Sequence, residues 1–359
     1  MNSKPVLALI AVAALVIAAC EDTTQPPPPG APPQISTSAT YQRSVDTGLP
    51  SNDVFSILVT SEGEVWIGTQ AGIAIYPNIS STKRSGDVIN ELNGLPNPQV
   101  RSMAEYNGKI YAATWGGGLG VFDMGTDQWS QLKTAQGLRA GEVADIAISP
   151  TEDRLYFATA NGVSIYNPTA NSFSSFIPPN LLDPIVSSVD LRDVGGVIER
   201  WYGPRYEPFL TTADRSKHGI TVSRGTSTVI KYTLANSDLA EARVNDVYYD
   251  SQNDVFWVSY AVSGIAIVNT ANSTWTYQTT VNGLPSNTVY NVTRAAGTMW
   301  AATQHGLARL KTDGRWQGYS RSGGLQADRV RRVYSDDGER LWLAFIEGGA
   351  ARVNPASAK

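Results

Sequence analysis

From residue 48 onward the chain repeats one pattern of apolar and polar positions. The first copy reads Gly48-Leu49-Pro50-Ser51-Asn52-Asp53-Val54-Phe55-Ser56-Ile57, then Glu62-Gly63, then Val65-Trp66-Ile67-Gly68-Thr69 and Gly72-Ile73-Ala74-Ile75-Tyr76. Short apolar runs rich in Val, Ile, Trp and Tyr, bounded by Gly, Asn, Ser and Pro, predict strands joined by tight turns. The order is loop, strand, glycine turn, strand, short turn, strand. It recurs at Gly94-Leu95-Pro96, Gly137-Leu138, Gly283-Leu284-Pro285-Ser286-Asn287 and Gly324-Leu325, with degenerate copies near Leu182 and Leu239.

Three ladders fix the count. A hydrophobic pair three residues apart recurs as Val54/Ile57, Val100/Met103, Val143/Ile146, Val186/Val189, Val244/Val247, Val289/Val292 and Val330/Val333. An aromatic in the second strand recurs as Trp66, Tyr111, Tyr156, Trp201, Trp257, Trp300 and Trp342. A glycine opens the third strand at Gly72, Gly118, Gly162, Gly219, Gly264, Gly306 and Gly349, at spacings of 46, 44, 57, 45, 42 and 43. Seven repeats of this length predict an all-β, seven-bladed propeller of four-stranded blades. The outer, fourth strand carries Trp129, Phe173, Tyr277 with Trp275, and Trp316 with Tyr319. The seventh repeat ends at Lys359 soon after its third strand, and Thr40-Tyr41-Gln42-Arg43-Ser44-Val45 matches an outer strand. Residues 39–46 are therefore expected to complete the last blade, which removes a free sheet edge. The ring takes up residues 38–359 and leaves no room for a second domain.

The motif GLPSNxVxxI…GxVWIGTxxGIxxY resembles the two-component-regulator propeller repeat. That resemblance implies a periplasmic or surface binding module, with oligosaccharides a frequent ligand class. The family's sensors place two such propellers before a β-sandwich, a membrane helix and a kinase. One ring without those parts does not carry signal transduction over.

The first residues have a different character. Lys4 precedes an apolar, Ala-rich run from Val6 to Ala19, too short for an ordinary membrane span. The run ends in Ile17-Ala18-Ala19-Cys20, which resembles the bacterial lipobox. The resemblance implies a signal peptide over residues 1–19, cleavage before Cys20, and lipidation of Cys20 as a membrane anchor. Glu21 stands where the familiar inner-membrane retention signal has Asp, so the outer membrane is favoured, on its periplasmic or surface face. Residues 20–37 form a Pro-rich linker, extended at about 3.1 Å per residue.

Composition narrows the chemistry. Only 17% of residues are charged, and the formal net charge is −4, so no cation excess exists for nucleic acid. One cysteine excludes an internal disulfide, and two histidines exclude a three-histidine metal site. No nucleophile elbow, zinc-protease, P-loop or dinucleotide motif is present. No cofactor, metal or catalytic set is expected.

A few residues fall outside the repeat's structural logic. Trp115, in Thr114-Trp115-Gly116-Gly117-Gly118, lies in a turn expected near the channel mouth, where it could stack on a sugar or a partner. Tyr260, and Gln304 with His305, occupy equivalent turns. The residue after the ladder valine reads Phe55, Arg101, Ala144, Ser187, Asn245, Tyr290 and Arg331. The next reads Ser56, Ser102, Asp145, Ser188, Asp246, Asn291 and Arg332. Strand alternation sends one set to the channel and the other between blades. The long fourth spacing places an insertion at Arg205–Lys217, with Arg205, Tyr206 and Arg215 as candidate contacts. The candidate ligand residues are thus Trp115, Arg101, Tyr206, Arg205, Arg215, Tyr260, Tyr290, His305 and Arg331. The expected function is a non-catalytic binding or scaffold module for a glycan or envelope protein. The alternatives are a propeller lyase or lactonase using His305 or His218, and a structural subunit of an envelope complex.

Overall fold

A computed structural model of the chain describes residues 32–43, 48–177, 180–204, 218–225, 228–336 and 338–358. The expected signal peptide, Cys20 and the expected insertion at Arg205–Lys217 lie outside the described residues. Seven separate four-stranded antiparallel sheets form the blades. Blade 1 runs β2 (Val54–Val59), β3 (Val65–Thr69), β4 (Gly72–Tyr76) and β5 (Ser85–Ile89) from the axis outward. Blades 2 to 6 follow in chain order. Their innermost strands are β6 (Val100–Tyr106), β10 (Val143–Ile148), β14 (Val186–Val194), β18 (Val244–Asp250) and β22 (Val289–Ala295). Innermost strands touch in ring order, and β2 meets β26 (Val330–Ser335) of blade 7, closing the circle.

The core lies between blades. Seven buried apolar clusters each combine two neighbouring blades, one per interface. This explains why second strands such as VWIGT are buried along their whole length instead of alternately: they have a sheet packed on each face. The ladder aromatics Trp66, Trp201, Trp300 and Trp342 are at most 1% exposed, filling the wedge between diverging sheets.

The seven leucines Leu49, Leu95, Leu138, Leu181, Leu239, Leu284 and Leu325 are all buried at the blade junctions. In the degenerate fourth copy this position belongs to Leu181, one residue before the Leu182 expected from sequence. The register is set by hydrogen bonding. The Leu182 N–H donates to Thr221 Oγ1 at 3.0 Å, as the Arg139 N–H following Leu138 donates to Ser164 Oγ at 2.9 Å.

The ladder glycines have a shared physical cause. At Gly306, φ is +123° and an added Cβ would stand 2.0 Å from the Tyr319 carbonyl oxygen. The outer strand's end passes over this corner in every blade, so no side chain fits. At Gly349 the obstructing carbonyl belongs to Tyr41, at 2.1 Å. The N-terminal strand thus occupies the outer position of blade 7. It is β1 (Thr37–Tyr41), paired antiparallel with β28 (Ala350–Val353). The strand starts two residues before the expected 39–46 and stops at Tyr41, because the Leu49 N–H already turns back to the Gln42 carbonyl at 3.2 Å. Threonines that end the second strand tie this corner together. Thr69, Thr114, Thr159 and Thr303 each donate to the carbonyl of the following ladder glycine at 2.7–2.8 Å.

Candidate functional site

Every innermost strand carries a β-bulge at the residue after its ladder valine. The ladder pairing skips Phe55, Arg101, Ala144, Ser187, Asn245, Tyr290 and Arg331. A bulged residue is freed from the ladder and re-aimed. All seven line one cavity of about 350 Å³ at the channel end bearing the long interblade loops; this end is called the upper mouth here. The residues one further on turn sideways and peg the blades together. The Val189 N–H donates to Asp145 Oδ2 at 3.3 Å, and the Val247 N–H to Ser188 Oγ at 3.1 Å. Asn291 exchanges two 2.9 Å bonds with the Val333 backbone. The first set therefore lines the upper end of the channel, and six of the second set line its lower cavity.

The upper mouth is uneven. Blades 7, 1 and 2 contribute Arg331, Phe55 and Arg101 side by side. The Arg101 and Arg331 guanidiniums lie 4.1 and 4.2 Å from the centroid of the Phe55 ring, and Arg101 is 5.2 Å from the Trp115 ring. Such contacts hold a planar cation in place without consuming its in-plane donors. Arg331 Nη2 also donates to Asp53 Oδ1 at 2.6 Å. Blades 3 and 4 contribute only Ala144 and Ser187, which leaves that side open. Ser187 and Asn245 spend their polar groups on interblade carbonyls, Asn245 Nδ2 donating to Val289 at 2.7 Å. Tyr290 and Arg243 complete the polar wall.

A second cavity of about 480 Å³ opens at the lower end, lined among others by Asp145, Asp190 and Arg294. Asp246, Asn291 and Arg332 line both cavities and stand between them. Arg332 of blade 7 crosses the channel to Asp145 of blade 3 at 3.5 Å. Burial pushes the Asp246 carboxyl well above the usual carboxylate range, against the pull of Arg332. Burial likewise pushes Asp190 up to about 7. The channel thus has an arginine-rich, aromatic upper mouth, a charged waist and a lower chamber of mixed charge.

The structure brings Trp115, Arg101, Tyr290 and Arg331 together on one cavity and leaves other candidates elsewhere. Tyr260 is wholly buried in the core between blades 4 and 5 and touches no channel wall. It closes the second strand, and its ring turns into the interface, so it is a packing residue. His305 is exposed but lines neither cavity. His218 Nδ1 pairs with Asp183, also away from the channel. Arg205, Tyr206 and Arg215 lie outside the described residues. Among the described residues no group of three or more His, Cys, Asp or Glu could hold a metal ion, and no helix is long and apolar enough to cross a membrane. Phe55, Asp53 and Arg243 were not singled out from sequence as ligand residues. Phe55 stood in the first set, but its role as a platform for two arginines depends on blades 7 and 2 meeting blade 1.

Residues 48–71, from the first loop through the second strand of blade 1, match the family model described as two component regulator propeller. No curated protein sequence matches the chain. Among solved structures, the extracellular domain of a hybrid two component system from B. thetaiotaomicron superposes with a TM-score of 0.68 at 16% identity, over 85% of this chain and 40% of that one. The extracellular domain of a one component system from the same organism gives 0.68 at 15% identity, over 89% and 39%. Streptogramin B lyase gives 0.59 at 13% identity, over 86% and 95%. The chain spans about two fifths of the first two. At such identities these likenesses concern the fold.

Proposed function

From a seven-bladed propeller whose first repeat is of the two component regulator type, we infer a non-catalytic binding module that takes a saccharide at its upper mouth. The observation that carries this is the convergence of Phe55, Trp115 and Tyr290 with Arg101 and Arg331 on one cavity of about 350 Å³. A few aromatic faces with convergent polar groups in a preformed concavity are the usual make-up of a small-ligand site. Neither histidine lines that cavity, which weighs against an acid/base enzyme there. Two of the solved likenesses are extracellular domains, which agrees with exposure in the envelope. The lipobox-like Ile17-Ala18-Ala19-Cys20 supports an anchor at Cys20, on the outer membrane, with the ring held off the bilayer by the Pro-rich linker.

Isothermal titration against an oligosaccharide panel tests the site. Binding that Trp115→Ala weakens tenfold or more, with the fold unchanged by circular dichroism, is expected. No saccharide binding, together with co-purification of an envelope protein, would favour a structural subunit instead. Removal of both His218 and His305 should leave binding intact. Metabolic labelling with a palmitate analogue should mark the wild type and not Cys20→Ala.

A further inference from the structure

We propose that the ligand bears an anionic group, a carboxylate or sulfate on a sugar ring, received by the Arg101 and Arg331 guanidiniums beside Phe55. This deepens the saccharide reading above and rests on it.

The charge balance of the mouth is the first observation. Four guanidiniums, of Arg101, Arg243, Arg331 and Arg332, line the upper cavity, with Asp246 as the lone carboxylate among the lining residues; Glu241, Asp53 and Asp145 pair with the last three from outside the lining or across the channel. The chain as a whole is acidic, at −4, so this concentration of cations is local. A cleft of one sign with low-dielectric walls focuses its field on an incoming ion of the other. The opposite chamber has mixed charge, with Asp145 and Asp190 beside Arg294 and Arg332.

Geometry is the second observation. Arg101 and Arg331 come from blades 2 and 7, on either side of blade 1, and both lie about 4 Å from the same ring centroid. Their side chains are placed by bulges, and Arg331 is further fixed by Asp53. Guanidinium forks match the two oxygens of a carboxylate or sulfate. The small residues Ala144 and Ser187 opposite leave room for the sugar ring that carries the acid, and Trp115 beside Arg101 offers it a face. Ring stacking and acid recognition thus share one corner of the cavity.

The test is isothermal titration of the full chain in detergent with three oligosaccharides of matched length: oligogalacturonate, a chondroitin sulfate fragment and a neutral malto-oligosaccharide. An oligoglutamate peptide serves as a fourth probe. One acidic oligosaccharide should bind at least tenfold tighter than the neutral one, and its affinity should fall as sodium chloride is raised. Arg101→Gln and Arg331→Gln should each weaken it tenfold or more. Arg331→Lys, which keeps the charge and the Asp53 contact, should recover part of the loss and show that the fold survives. Equal binding of neutral and acidic sugars, undiminished in the glutamine variants, would overturn the anion and leave the saccharide reading standing. Binding of oligoglutamate alone would overturn the saccharide and keep the anion. Binding of none of the four overturns both.

Discussion

Tyr41 is the residue on which ring closure should be tested. It ends β1, yet it is 0% exposed. Its ring sits 4.7 Å from Tyr76 of blade 1 and 6.0 Å from Trp342 of blade 7, centroid to centroid. It therefore ties the N-terminal strand to both blades at the closing interface, and burial pushes its hydroxyl up to about 12. A tyrosine buries about 150–250 Å², so at about 25 cal/mol per Å² its transfer is worth about 4–6 kcal/mol. Extended-chain areas overstate burial, and large-to-small aromatic substitutions in cores cost about 3–5 kcal/mol. Tyr41→Ala should thus lower stability by about 4 kcal/mol. Tyr41→Phe keeps the ring and loses only the bond from its hydroxyl to the Ser81 carbonyl, 3.2 Å long, at about 1 kcal/mol. Equilibrium urea unfolding followed by tryptophan fluorescence measures both. A single cooperative transition with a lower midpoint is expected, because the blade 7 and blade 1 clusters share this ring. A loss below about 1 kcal/mol for Tyr41→Ala, or a separate early transition in the wild type, would show that β1 is an appendage and that the ring is closed by blade packing alone.

Other perturbations probe the remaining arguments. Gly306→Ala forces a left-handed φ of +123° on alanine and a Cβ 2.0 Å from a carbonyl; a loss of about 2–3 kcal/mol in the same assay is expected. Glu199, 1% exposed, accepts from Arg192 and Trp201 at 3.0 Å and from Arg224 at 2.8 Å. Glu199→Ala leaves the 5%-exposed Arg192 without its buried counter-charge and should cost about 3–5 kcal/mol. The double variant with Arg192→Met should recover part of this, and failure to recover would mean the pair contributes by packing. For pH, Asp190 is raised by burial from 3.8 to about 7. The folded state then holds the proton more tightly than the unfolded state, so its contribution to stability falls as pH rises between those values. Asp246 has the same sign. Asp250, held low by Arg294 and Asn253, acts oppositely, with stability lost as pH drops below the usual carboxylate range. Thermal melts should therefore peak in mild acid, and Asp190→Asn should flatten the decline between the free carboxylate value of 3.8 and about 7. An unchanged slope would show that Asp190 is solvated by channel water.

The fold was legible because its determinants are local and repeated sevenfold. Each ladder glycine marks a corner where an outer-strand carbonyl excludes a side chain, and each ladder aromatic fills an interblade wedge. Such constraints recur at fixed spacing and can be counted from a single chain. Boundaries were less legible. Leu181 and Leu182 are both leucine, and only the bond from the Leu182 N–H to Thr221 selects which one is buried. The start of β1 similarly depends on its pairing with β28, more than three hundred residues away in the chain and beyond any local signal.

For the site, the chain itself determined two alternating sets of seven residues on the innermost strands, without saying which faces the channel, and the odd tryptophan. It could not determine that all seven of the first set face one mouth, because alternation alone does not reveal a bulge. Tyr260 was expected in a turn like that of Trp115, yet it ends its second strand opposite Val244, as Thr114 does opposite Val100, and Ala261 holds the place of Trp115 at the channel. The clustering of Arg331, Phe55 and Arg101 joins the last repeat to the first two, and the Arg332–Asp145 link spans the ring. These are contacts between distant repeats, and they exist only once the ring has closed.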